Sequence, residues 1–274
     1  MPSSSNRPRS RSGCWHGCSA APGWSTTTRS HCRLHAQVLD KNHGETLIAE
    51  HNLALCMRRD GNLNYACALM RKVRDRIIHR RGPAHPEALL VSADYAMLLR
   101  DTGDLPGARA IAEDTLQRYA AQLGPAHPYT AGAEDNCALV QRDQQEHAAA
   151  LTRSERARTT METALGADHV WSVGIAMNTA SARAAVGDTE GAATLGRDAL
   201  QRARAAVGPH HVLTLNMASG LSQDLRSLGR TAEADHILAD AVTHLTAGFS
   251  EEHQQVQHML AGRRPYWDFE PQVI

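Results

Sequence analysis

Histidine recurs in this chain at His43, His85, His127, His169, His211 and His253, each 42 residues after the last. An imidazole can ligate a metal ion or move a proton, so a metal-dependent hydrolase built on these residues is one alternative. Geometry disfavours it. Packed helices lie ~8–10 Å apart, whereas the ligands of one zinc ion stand within ~4 Å of each other, so equivalent histidines of successive repeats cannot share an ion. No serine, cysteine or carboxylate pair recurs beside them at a spacing that suggests a nucleophile with its base. Outside this series, Cys14, Cys18, Cys32 and His35, with His16 to spare, have a loosely zinc-like spacing that matches no zinc pattern well. No catalytic residue and no metal or cofactor site is assigned.

The histidines instead mark a structural period. Arg81-Gly82-Pro83-Ala84-His85-Pro86 returns as Leu123-Gly124-Pro125-Ala126-His127-Pro128, in which a glycine ends one helix and a proline with fixed φ starts the next. Eighteen residues after the histidine stand Gly61, Gly103, Gly187 and Gly229, and five further on Ala66, Ala108, Ala150, Ala192 and Ala234. Each unit therefore reads as two helices joined by a turn, with a small residue where they approach. First helices are expected near 46–59, 87–101, 129–143, 171–185 and 213–227, and their partners near 63–79, 105–122, 147–164, 189–206 and 231–247. A fixed period of this length marks a solenoid, whose units bury their apolar faces on one another. The third unit departs from the rest. Gln145 replaces the glycine and Arg153 stands where Leu69, Ile111, Leu195 and Ile237 stand elsewhere, so a local shift is expected there, with Leu151 inward and Arg153 snorkelling out.

The 29 basic and 29 acidic side chains balance over 274 residues. That balance argues against the second alternative, a nucleic-acid-binding helical repeat. Aromatic residues are 4 % of the chain and hydrophobic residues 42 %, a composition in which Ala and Leu carry the burial. Six scattered cysteines and no apolar run of membrane length point to a soluble, cytoplasmic chain without a membrane partner. Residues 1–30 are rich in Ser, Arg, Gly and Pro, lack any period and read as a disordered leader. The repeats occupy 31–261 and begin in mid-repeat, as a fragment of a longer protein would. A tail at 262–274 holds Tyr266, Trp267 and Phe269, and either packs on the last helix or docks elsewhere.

Together these residues resemble tetratricopeptide repeats of the long, kinesin-light-chain-like type. The resemblance rests on Leu123-Gly124-Pro125-Ala126-His127-Pro128, Thr130, Asn136 and Ala138, and on Thr46-Leu47 and Asn52-Leu53-Ala54. It implies an all-α fold, a right-handed superhelical solenoid of antiparallel helix pairs. It also implies that the first helices line a concave groove that binds a peptide or protein segment without catalysis. An asparagine column in that groove, Asn52, Asp94, Asn136, Asn178 and then Gly220, would hold the ligand backbone. An arginine column, Arg58, Arg100, Arg142 and Arg226, broken by Ala184, would favour an acidic or carboxylate-terminated peptide. The bland alternatives are amides bonded to neighbouring helices and arginines paired with acids such as Asp104 or Asp143. The ending Gly262-Arg263-Arg264 with Asp268-Phe269-Glu270-Pro271 resembles that of bacterial proteins, some of FxSxx-COOH peptide systems, that carry such repeats behind an NB-ARC-type domain. That resemblance implies an adaptor or sensor role in signalling and a nucleotide-binding domain lying N-terminal to this chain. No Gly-x-x-x-x-Gly-Lys-Ser/Thr loop occurs here.

Overall fold

The computed structural model describes residues 40, 42–248 and 254–271. The expectations for the leader, for Cys14, Cys18, Cys32 and His35, and for His253 lie outside them. Five helix pairs follow one another: α1 (Gly44–Arg59) with α2 (Leu63–Arg81), α3 (Pro86–Asp101) with α4 (Leu105–Leu123), α5 (Pro128–Asp143) with α6 (His147–Leu165), α7 (Val170–Ala185) with α8 (Thr189–Val207), and α9 (Val212–Ser227) with α10 (Thr231–Gly248). A short α11 (Gln254–Leu260) follows, then an extended segment to residue 271. Each helix packs on its sequence neighbours, and successive first helices also touch. Among the described residues there is no strand, and the chain is the expected solenoid of antiparallel helix pairs.

The periodic histidines are helix caps. His43, His85, His127, His169 and His211 sit at the N-cap of the five first helices with extended backbone. In each, Nδ1 accepts the N–H of the residue two further on, at 3.3, 3.2, 3.1, 3.2 and 3.2 Å in chain order. One orphan donor of each helix is satisfied this way. The hydroxyl one residue later ties the turn to the preceding helix. Thr130, Ser172 and Thr214 donate to the carbonyls of Gly124, Gly166 and Gly208 at 2.8, 2.7 and 2.7 Å. The unit repeats because one turn chemistry repeats.

The alanine column lies where helices meet: Ala66, Ala108, Ala192 and Ala234 are 0 % exposed and Ala150 is 1 %. The third unit does not shift. Gln145 takes the left-handed conformation of the glycines it replaces, at φ 68°, and α6 starts and ends 42 residues after α4. Position 153 tolerates arginine because the whole column is half-buried, Leu69, Ile111, Leu195 and Ile237 included. Arg153 Nη1 pairs with Glu113 of the preceding unit at 2.6 Å, while Leu151 is half-buried as well.

Helices α3, α5 and α7 are buried on nearly every face. Second helices cover only one side of them. The C-terminal segment covers another.

Candidate functional site

The segment from Arg263 runs extended along the concave face, from the fifth unit towards the first. Its side chains alternate, as in any extended chain. Pro265, Trp267 and Phe269 face the helices, and Arg264, Tyr266, Asp268 and Glu270 reach to the polar side. Two asparagines of the expected column grip its backbone. Asn136 Nδ2 donates to the Phe269 carbonyl at 3.0 Å and its Oδ1 accepts the Phe269 N–H at 2.9 Å. Asn178 does the same for Trp267, with Nδ2 to the carbonyl at 2.5 Å and the N–H to Oδ1 at 3.0 Å. Each amide thus satisfies both groups of one residue, so the segment needs no strand partner. Two segment residues correspond to one repeat unit.

The amide of Asn178 is oriented from behind. Its second N–H goes to Asp135 Oδ2 of the preceding unit at 2.6 Å, and Asp135 Oδ1 accepts from Ser154 at 2.8 Å. Burial pushes the Asp135 carboxyl up to about 7, against the lowering effect of those bonds. The column position in the second unit is Asp94, held by His51 Nε2 at 2.6 Å. Asn52 stands one unit further. In the fifth unit Gly220 leaves room for Pro265, whose ring lies 3.7 Å from where a Cβ would be.

Rings fill the space that two helical glycines leave open. A Cβ on Gly132 would come within 3.0 Å of the Phe269 ring, and one on Gly174 within 3.0 Å of Trp267. Both glycines lie inside helices, α5 and α7, where the residue costs about 1 kcal/mol against alanine. Their 42-residue spacing, four positions before Asn136 and Asn178, is the signal that could have marked them. Phe269 is 0 % exposed and meets Tyr129 and Trp171 edge-on, with centroids at 5.4 and 5.1 Å. Burying such a ring contributes ~1.5–3 kcal/mol.

The arginine column splits. Arg58 Nε donates to Asp101 of the next unit at 2.7 Å, and its Nη1 to Asp268 of the segment. Burial opposes its charge, but Asp268 and Asp101 outweigh that and its pKa ends above the usual arginine value. Beside it Arg59, outside the expected column, pairs with Glu270 at 2.8 Å. Arg100 pairs with Asp143 at 2.7 Å and lies over the Tyr266 ring at 4.1 Å, while the Tyr266 hydroxyl donates to Asp101 at 2.9 Å. Arg142 has Asp143 at 3.3 Å. Burial, then Arg100, lowers its pKa. Arg226 turns to Asp235 at 2.6 Å and remains exposed, while Asp224, two residues earlier, takes Arg264 in a two-pronged pair, Nη2 to Oδ2 at 2.9 Å. The cause of this split is the unit-to-unit step: a carboxylate follows Arg58 and Arg100 by 43 residues, and Ala185 stands there for Arg142.

Models of the tetratricopeptide repeat match residues 87–163 and 177–213. No curated protein sequence matches the chain. Among solved structures, the chain is similar to kinesin light chain nearly identical TPR-like repeats from Podosopora anserina, at 18 % identity over 76 % of this chain and 99 % of that one, TM-score 0.58. It is similar to BtubC (BKLC) from P. vanneervenii, at 15 % identity over 91 % and 94 %, TM-score 0.61. A Rap protein complexed with competence and sporulation factor aligns at 12 % identity over 86 % and 67 %, TM-score 0.65. Matched repeats in phase with the capped helix pairs, and solved structures of the same architecture, make this chain a tetratricopeptide-repeat solenoid, one whose concave face carries its own C-terminal segment.

Proposed function

We propose that the chain is a non-catalytic repeat module that binds an extended peptide or protein segment in its concave groove, and that residues 263–271 occupy that groove in cis. The observation that carries this reading is the pair of two-bond backbone grips at Asn136 and Asn178. Such grips ask only for an extended backbone. Selectivity comes from the sides of the groove: Gly132 and Gly174 admit large rings, while Arg58 and Arg59 take the acids beside them. The ligand is thus an acidic, aromatic segment rather than one recognised by a terminal carboxylate. Asn52, Asp94, Arg100 and Arg142 belong to the same surface, and Arg226 contributes nothing to it. The setting is an adaptor or sensor part of a bacterial signalling system, a reading that rests on the resemblance of residues 262–271 alone.

The test frees the groove by Trp267→Ala with Phe269→Ala in the full chain and titrates it with a labelled peptide of residues 263–274. Binding is expected, and adding Asn136→Ala with Asn178→Ala should weaken it at least about tenfold, as loss of hydrogen bonds to buried partners does. A freed groove that keeps its helicity and takes no peptide contradicts the proposal.

A further inference from the structure

The asparagine column changes chemistry one step beyond the two grips. Following the segment past Asn178 and Asn136, the next position is Asp94, 2 % exposed. Its Oδ2 faces His51 of the preceding unit across the same 43-residue step that links Asp135 to Asn178. Its Oδ1 is buried with no hydrogen-bond partner. A carboxylate oxygen can only accept, so this atom is a place for a donor.

The segment advances two residues per unit, Trp267 at Asn178 and Phe269 at Asn136. The same register brings residue 271 to Asp94. Residue 271 is proline, which has no backbone N–H. Electrostatics agree with the placement, since the Glu270 carboxyl, raised first by burial, feels Asp94 among its neighbouring charges. The chain's own segment therefore satisfies two steps of the column and leaves the third without a partner.

We propose that Asp94 is a third reading position of the groove, selecting a residue with a free backbone N–H. The cis segment is an occupant left incomplete by Pro271, displaced by a partner segment with the same aromatic–acid alternation and no proline at that point. This rests on the groove being a peptide site, and the experiment separates the two claims.

Two labelled peptides of residues 263–274, one natural and one with Pro271→Ala, are titrated into the full chain carrying Trp267→Ala and Phe269→Ala. The alanine peptide should bind about tenfold tighter, the gain from one hydrogen bond to a charged acceptor. That advantage should vanish when Asp94→Ala is added, and the intact chain should bind both more weakly. Equal affinities for the two peptides overturn the third reading position while leaving the groove intact. Binding to the intact chain as tight as to the freed one overturns displacement. Failure of both peptides on a helical protein removes the peptide site itself. Should the double variant not fold, Pro271→Ala in the intact chain should slow hydrogen exchange at the Trp267 and Phe269 amides several-fold, an effect that Asp94→Ala cancels; unchanged exchange overturns the proposal.

Discussion

Asp135 shows how much one side chain can decide without any trace in the sequence. Its column otherwise holds His51, Ala93, Met177 and Ser219, so no pattern announces it. In the fold it sets the orientation of Asn178, with the hydroxyls of Ser154 and Thr179 behind it, 2.9 Å apart. Because its carboxyl is raised to about 7 from an unfolded value near 3.8, the native state holds its proton over a range where the unfolded chain does not. The stability it contributes is fully present below about pH 3.8, declines as pH rises from there to about 7, and changes no further above that. Asp135→Asn keeps an acceptor for Asn178 and removes the buried charge. Between pH 5 and pH 8, wild type should lose roughly 2–3 kcal/mol that the variant retains, at 1.36 kcal/mol per unit of pH up to about 7. Urea unfolding at both values checks this, and parallel losses in the two proteins would contradict it. The histidines were visible as a series, while their capping role needed the backbone: Nδ1 and the N–H it receives are two residues apart, across the turn.

At the scale of elements, the helices were legible almost to the residue because five copies of one turn state the same boundaries. Even Gln145 in the left-handed conformation leaves α6 in place. The expected shift in the third unit failed because the sequence shows that position 153 is apolar elsewhere, not that it is half-buried everywhere. The extended segment was illegible for another reason. It has no period, and its partners lie 40 to 211 residues away in sequence. Gly132 and Gly174 lower the helix propensity of α5 and α7, and the rings they accommodate are the reason for them. Gly174→Ala should therefore strengthen α7 locally yet expel Trp267. Chymotrypsin should then cleave after Trp267 and Phe269 faster than in wild type, at unchanged helicity. An unaltered cleavage rate would mean that the ring does not sit against α7.

Across the whole molecule the segment joins the ends of the solenoid, since Arg264 pairs with Asp224 in the fifth unit and Asp268 with Arg58 in the first. A repeat array otherwise connects only neighbours. A single strap across five units adds contacts of long sequence separation and couples their opening. It also gives the groove an occupant whose removal exposes Asn136, Asn178, Arg58 and Asp224 together. That arrangement follows from the balance of charge: the acids that neutralise the groove arginines belong partly to the units and partly to the segment. Everything proposed about ligand choice depends on the segment lying there in solution. Hydrogen exchange at the Trp267 and Phe269 amides of the intact protein measures this most directly. Both amides should be protected far beyond an unstructured peptide, and both should be released by Asn136→Ala with Asn178→Ala while the helices stay protected. Exchange at the unstructured rate in the intact protein would contradict that placement.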